Sequence, residues 1–286
     1  MSPLIDSLLR AATEQLRQAG IVSARVDAEI LLGEAQGLSR SEVLRHAILG
    51  RTLDDTQATA YLDLVDQRAQ RVPLQHLTGY ADFAGIRLRV GPGVFTPRPE
   101  TEVLVARAHE IAQDQAHPLI VDLGTGSGAI AAALKHRLPG ADVYAVEVST
   151  HAHAWARQNF DRLALDVALR RGEGQTAFAE LEHQVDLVTC NPPYIPTGAV
   201  PVDPEVRLHD PSVALYGDSD DGLKVPMEMA ARAAVLLRPG GILLMEHADS
   251  QATVIDKRLQ EMTCWSTIRD HRDLADRPRM VEATRA

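Results

Sequence analysis

Asn191-Pro192-Pro193-Tyr194 puts an amide, two backbone-locking rings and an aromatic side chain directly after the apolar run from Val185 to Cys190. That run is β-branched and apolar, the pattern of a strand buried on both faces. Two consecutive prolines remove backbone donors and fix φ, so the strand ends there and the next residues are held stiffly. In an open α/β sheet, ligands sit beyond the carboxyl ends of the strands, where Asn191 and Tyr194 fall. Taken alone, the tetrapeptide fits a surface turn equally well.

A second candidate constellation lies upstream. Leu119 to Leu123 reads as a buried strand, Gly124-Thr125-Gly126-Ser127-Gly128 as a glycine-rich turn, Ala129 to Leu138 as a helix closed by Pro139-Gly140, and Val143 to Val146 as a second strand ending in Glu147. Glycines let the chain turn tightly and let backbone approach a ligand at a helix N-terminus. Glu147 stands 19 residues after Gly128, where a carboxylate can accept hydrogen bonds from both ribose hydroxyls. The order strand, glycine turn, helix, strand and acid points to a nucleoside cofactor. Gly124, Gly126 and Ala129 also satisfy the relaxed dinucleotide fingerprint, so a nicotinamide enzyme stays open at this level.

The rest of the chain must position these two stretches. Its 286 residues suffice for one large domain or two ordinary ones, and 45% hydrophobic with 24% charged residues is an ordinary globular balance. No apolar run approaches the roughly 18 residues of a spanning helix, and Asp6 and Glu14 stand where a secretory signal would be basic and then apolar. A cytoplasmic location without membrane contact is expected. Cys190 and Cys264 are far apart and the eleven histidines are scattered, so neither a disulfide framework nor a metal site is indicated. A net charge of -10 supplies no basic field for a nucleic acid backbone.

Residues 1–72 carry helical periodicity throughout. Ser2-Pro3 looks like a cap and first-turn proline, with Leu4, Leu8, Leu9, Ala12 and Leu16 on one face up to Gly20. A second helix runs through Val26, Ile30 and Leu31 towards Gly37. Ser39 with Glu42 forms a capping box for a third, and Thr52 to Asp55 repeats the signal for a fourth ending by Pro73. Eight arginines face ten carboxylates here, with no catalytic constellation, which suits a substrate-docking module or a structural cap. Residues 73–98 read as a linker with a β-hairpin: Ile86, Leu88 and Val90 alternate with arginines, and Gly91-Pro92-Gly93 turns the chain into Val94-Phe95. Arg98 then sits in a proline-stiffened loop, free to meet solvent, substrate or cofactor. Residues 99–286 complete an α/β domain, with a helix near Met227–Leu237, a strand over Ile242–Glu246 and two late strands near Ser266–Arg269 and Met280–Ala283.

With these residues in view, Asp122-Leu-Gly-Thr-Gly-Ser-Gly-Ala129 followed by Asn191-Pro-Pro-Tyr194 resembles a class I S-adenosylmethionine-dependent methyltransferase acting on an amide or amino nitrogen. Pro73-Leu-Gln-His-Leu-Thr-Gly79, Phe95-Thr-Pro-Arg-Pro-Glu-Thr-Glu102, Glu205-Val206, Asp210-Pro211, Ala214-Leu215, Asp221-Gly222-Leu223 and Arg272-Asp-Leu274 narrow the likeness to the HemK/PrmC family of protein-(glutamine-N5) methyltransferases. The resemblance covers nearly the whole chain. It implies a Rossmann-like mixed seven-stranded sheet, S-adenosyl-L-methionine as cofactor, and the Gly-Gly-Gln glutamine of peptide chain release factors as substrate, acted on by a monomer. It further implies that Gly124, Thr125, Gly126, Ser127, Gly128, Glu147 and Asn191 meet the cofactor, and that Asn191, Pro192, Pro193 and Tyr194 hold the glutamine. The chain departs from the family's usual pattern at Glu147, more often Asp, at Arg171-Gly-Glu-Gly174, at Glu246-His-Ala-Asp and at Ala275-Asp-Arg-Pro-Arg279.

The implied chemistry suits the residue types. A glutamine nitrogen is a weak nucleophile, and no strong base lies in the strand-end motif. The side-chain oxygen of Asn191 and the carbonyl of Pro192 are suited to accept the two amide N–H groups, and the ring of Tyr194 to pack on the flat amide. An adenine amino group presents the same two donors, so adenine-N6 nucleic acid methylation is the alternative; such an enzyme must flip a base and hold a polyanion, which the acidic balance disfavours.

Overall fold

A computed structural model describes residues 3–286, which divide into two compact units. One runs up to Tyr80 and adds Val202–His209; the other comprises Ala81–Pro201 and Asp210–Ala286.

The helical unit contains α1 (Ile5–Gln18), α2 (Ala24–Gln36), α3 (Arg40–Ile48), α4 (Asp55–Ala69) and the single turn α5 (Leu74–Thr78). Ile5, Leu9, Ala12 and Leu16 form the buried stripe of α1. That helix starts at Ile5, after Pro3; Ser2, the expected cap, lies outside the described residues. Ser39 and Glu42 make the expected capping box, whereas the box that starts α4 is Asp54 with Gln57, two residues beyond the expected Thr52 with Asp55.

A later segment joins this unit as α9 (Pro204–His209). Its Glu205 meets Arg68, whose guanidinium donates to Asp27 at 2.8 Å, to Glu205 at 2.8 Å and to the Val72 carbonyl at 3.0 Å. The Arg68 and Asp27 side chains are only 5% and 4% exposed. A buried pair of this kind is strongly destabilising when one partner is removed, because the other charge stays buried and uncompensated.

From Ala81 on, the second unit opens with a hairpin of β1 (Tyr80–Phe83), whose first residue ends the helical unit, and β2 (Ile86–Arg89). Its turn is Ala84-Gly85, both at positive φ, so the strand pairs with the residues before it and not with Val94-Phe95 across Gly91–Gly93. Then come α6 (Glu102–Ala112), β3 (Leu119–Leu123), α7 (Ala129–Arg137), β4 (Asp142–Glu147), α8 (Thr150–Leu163), β5 (Val167–Arg171) and β6 (Val185–Cys190). The chain closes with α10 (Lys224–Leu236), β7 (Leu237–Glu246), α11 (Ala252–Glu261), β8 (Trp265–Arg272) and β9 (Pro278–Arg285).

Strands β3 to β9 form one seven-stranded mixed sheet in the order β5-β4-β3-β6-β7-β9-β8, with β9 antiparallel to both neighbours. Ile120 faces a core shared with α6, α7 and α8, while its neighbours Val121 and Leu123 face one shared with α10 and α11. Burial on both faces explains why the central strands are mostly apolar, broken only by single polar residues such as Asp122 and Thr189 that pair with each other. Strand order reverses at β3, which has β4 on one side and β6 on the other, so the loops after β3 and β6 leave the same edge side by side. No helix of the described residues is long and apolar enough to cross a membrane.

Arg68→Met is expected to cost about 3–5 kcal/mol of stability, read from urea unfolding by far-ultraviolet circular dichroism, and adding Asp27→Leu should recover part of that loss.

Candidate active site

Register decides what shares the carboxyl edge. Leu123 pairs with Val146 of β4 and with Cys190 of β6, and Cys190 pairs with Met245 of β7. The next residue on each strand is Gly124, Glu147, Asn191 or Glu246, so these four stand in one row across the sheet. The glycine turn and the Asn191–Tyr194 motif, 67 residues apart at Gly124 and Asn191, are thereby brought together.

The glycine turn is built by its backbone. Gly124, Gly126 and Gly128 all have positive φ. A Cβ on Gly124 or Gly126 would meet nothing within 4 Å, which leaves an open cradle above the turn, whereas one on Gly128 would stand 2.7 Å from the Phe160 ring. Glu147 is pinned beneath the cradle. The Gly126 N–H donates to its Oε2 at 2.8 Å and the Ser149 N–H to its Oε1 at 2.7 Å. Burial nonetheless raises its pKa above the ordinary glutamate value, with these backbone donors pulling it partly back.

Asn159 on α8 does a less visible task. It is fully buried, its Nδ2 donates to the carbonyls of Ser127 at 2.9 Å and Arg89 at 3.0 Å, and its Oδ1 accepts from the Arg89 N–H at 2.6 Å. One side chain therefore ties the glycine turn to β2. No local signal announces it, since the two partners lie 32 and 70 residues away.

Asp122, the last acid of β3 and 1% exposed, accepts from the Thr189 hydroxyl at 2.8 Å. Burial pushes it up to about 6, against the pull of the Thr125 and Thr189 hydroxyls. The Thr125 hydroxyl is turned to this carboxylate, so Asp122 braces the glycine turn, while the cradle over Gly124 and Gly126, open where a Cβ would stand, leaves room for a ligand beside Glu147. Sequence reasoning passed over Asp122, although it heads the glycine motif.

Asn191 is held from behind. Its Nδ2 donates to the Thr101 Oγ1 at 3.3 Å, and the Thr101 hydroxyl donates to the Glu246 Oε2 at 2.7 Å. Thr101 and Glu246 are both buried. Pro192 is buried as well, and the Tyr194 carbonyl accepts from Gln251 Nε2 at 2.8 Å, which fixes the far end of the motif. Burial, then the Glu246 charge, raises the Tyr194 hydroxyl well above its ordinary range, and Arg279 contacts it.

Arg98 does not reach toward the row as a free cation. It stacks over the Phe95 ring and donates to Asp210, whose side chain is 1% exposed, at 2.8 Å. Cys190 is buried and Cys264 half-buried, both unpaired, and no group of His, Cys, Asp or Glu among the described residues is arranged to hold a metal.

Two family models match the chain, that of the PrmC N-terminal domain over residues 7–79 and that of the methyltransferase small domain over residues 86–204. The release factor glutamine methyltransferase of Streptomyces coelicolor is 45% identical over 96% of both chains. The chain belongs to the release factor glutamine methyltransferase family. The release factor glutamine methyltransferase of Mycolicibacterium smegmatis is 41% identical over 98% of both chains. A 16S rRNA methyltransferase of T. thermophilus, solved with AdoMet and guanosine, superposes with a TM-score of 0.52 at 20% identity over 72% of this chain and 50% of its own, a likeness of fold. Family membership makes this protein an S-adenosylmethionine-dependent methyltransferase with the class I sheet.

Within this family scaffold, Gly128→Ala is expected to cost about 1–3 kcal/mol, because the new Cβ overlaps Phe160 on a backbone at φ +82. Gly124→Ala, whose Cβ meets open space, should lower stability less and weaken cofactor binding more; thermal melting beside calorimetric titration with S-adenosylmethionine separates the two.

Proposed function

We infer that this chain transfers the methyl group of S-adenosyl-L-methionine to the side-chain nitrogen of the glutamine in the Gly-Gly-Gln motif of peptide chain release factors. The observation that carries this reading is the placement of the Asn191 amide beside the glycine turn, in a chain 45% identical to a release factor glutamine methyltransferase along almost its entire length.

The cofactor supplies an electrophilic methyl group on a sulfonium. Gly124, Thr125, Gly126, Ser127 and Gly128 would line it, and Glu147 would accept its ribose hydroxyls through lone pairs left over from the two backbone donors. Asp122 and Glu147, the acids nearest the turn, favour a cationic ligand over an anionic one.

The protein's own part in the reaction is alignment. Asn191 Oδ1 and the Pro192 carbonyl accept the two N–H groups of the substrate amide, aim its lone pair at the methyl group and favour positive charge on the nitrogen as the new bond forms. The two prolines keep this geometry without an entropic cost at the moment of reaction. Tyr194, kept protonated by burial, packs its ring on the amide plane. Orientation of this kind is worth roughly 7–11 kcal/mol in well-aligned systems, enough to use a weak nucleophile without a strong base. The proton leaves after transfer. The helical unit, without a catalytic cluster of its own, would dock the protein substrate.

Mass spectrometry of a release factor incubated with this protein and S-adenosylmethionine should show one added methyl on the Gly-Gly-Gln glutamine; an unmodified release factor beside a methylated adenine duplex would replace this reading with the nucleic acid one. Asn191→Ala is expected to lower kcat about 100-fold or more while leaving calorimetric cofactor affinity nearly unchanged.

A further inference from the structure

Methyl transfer as described above makes no direct use of Thr101 or Glu246, yet both are buried against the side chain on which substrate alignment depends. Asn191 carries a donor and an acceptor on one planar group, and a half-turn about its last bond exchanges them. With Nδ2 toward the substrate, the site would face a glutamine amide's donors with donors of its own, and alignment would fail. Something must fix the sense of the amide.

We propose that Thr101 and Glu246 form a one-way hydrogen-bond relay that holds Asn191 with its oxygen toward the substrate, making both of them positioning residues for transfer to an amide nitrogen. The proposal rests on the function inferred above. The direction follows from counting protons. An ionised carboxylate only accepts, so the single proton of the Thr101 hydroxyl is committed to Glu246 at 2.7 Å. The Thr101 oxygen can then only accept, and its neighbour at 3.3 Å must be Asn191 Nδ2. Asn191 also lies close enough to Glu246 to stabilise its charge, so each group behind the amide demands a donor. The flipped amide would bring two acceptors to one hydroxyl proton in a buried place, leaving one of them unsatisfied.

The relay also gives a use to the Phe95–Glu102 segment. Arg98 is anchored on Asp210 and Phe95, and Glu102 accepts from the Ala84 N–H at 3.1 Å, so Thr101 is delivered from a braced loop. Arg279 on β9 faces the same carboxylate and is itself held by Asp273 at 3.3 Å. Glu246 is pushed up to about 7, mainly by burial and further by Glu100, against the pull of Thr101, Arg279 and Asn191. Tyr194 and Cys190, the other titratable groups beside it, are both raised and stay neutral in this range. Protonation would make Glu246 a donor, free the Thr101 proton for Asn191 and remove the directional preference. Ionised Glu246 is the competent form, so kcat should climb as pH rises through about 7.

The test uses the full chain with a release factor and S-adenosylmethionine, measuring kcat and KM, cofactor affinity by calorimetry, and melting temperature. Thr101→Val and Glu246→Gln are each expected to lower kcat about 10- to 100-fold with cofactor affinity unchanged. Thr101→Ser, which keeps the hydroxyl, should recover most of kcat, and the rise in kcat through neutral pH should vanish in Glu246→Gln. A kcat within about twofold of wild type for Thr101→Val and Glu246→Gln overturns the relay. So does a loss matched by equal losses of cofactor affinity and melting temperature that Thr101→Ser does not recover. Wild-type protein that leaves the glutamine unmethylated is read from its own arm and overturns the inferred function instead.

Discussion

Parallel strands in register end together, and the active edge of this protein follows from that. Because Leu123, Val146, Cys190 and Met245 lie in one row, the residue after each is delivered to the same line at the carboxyl edge. A shift of one residue in any pairing would turn its terminal side chain to the other face. The double-sided core pins the register, since both faces of β3 and β6 pack against helices and neither tolerates an exchange of faces.

The same burial that fixes the register raises the acids it delivers. Asp122 at about 6 and Glu246 at about 7 are kept from rising further by hydroxyl and charged donors around them. Glu147 is held by two backbone N–H groups, a placement that costs no side chain and survives only while the glycine turn keeps its shape. The edge is therefore a buried, acidic line whose donors come from the protein itself.

A different device serves the helical unit. Its apolar core comes from stripes on short helices, while Asp27, Arg68 and Glu205 join residues from opposite parts of the sequence through buried charge. Such pairs are weak sources of net stability, but removing one partner leaves the other charge buried and uncompensated. The segment Val202–His209, which follows the Asn191–Tyr194 motif, is held in this unit by that chemistry.

Much of this was legible in the sequence, and the boundary is physical. Local patterns determined the central strands, the glycine turn with its terminal acid, the Ser39 capping box and the proline-locked end of β6, because each depends on residues within a few positions of one another. The family resemblance carried the seven-stranded sheet and the chemistry. The hairpin partner was misplaced because Gly91-Pro92-Gly93 is the louder turn signal than Ala84-Gly85, and pairing depends on the other strand. Asn159 had no local signature, and the motifs that contain Asp122, Thr101 and Glu246 did not show their roles; their tertiary partners lie 32 to 145 residues away, and only folding brings them together. Above all, the sequence determined that an asparagine stands at the end of β6, while the tertiary structure decided which way its amide faces, because a planar group with a donor on one side and an acceptor on the other takes its sense from what is packed behind it.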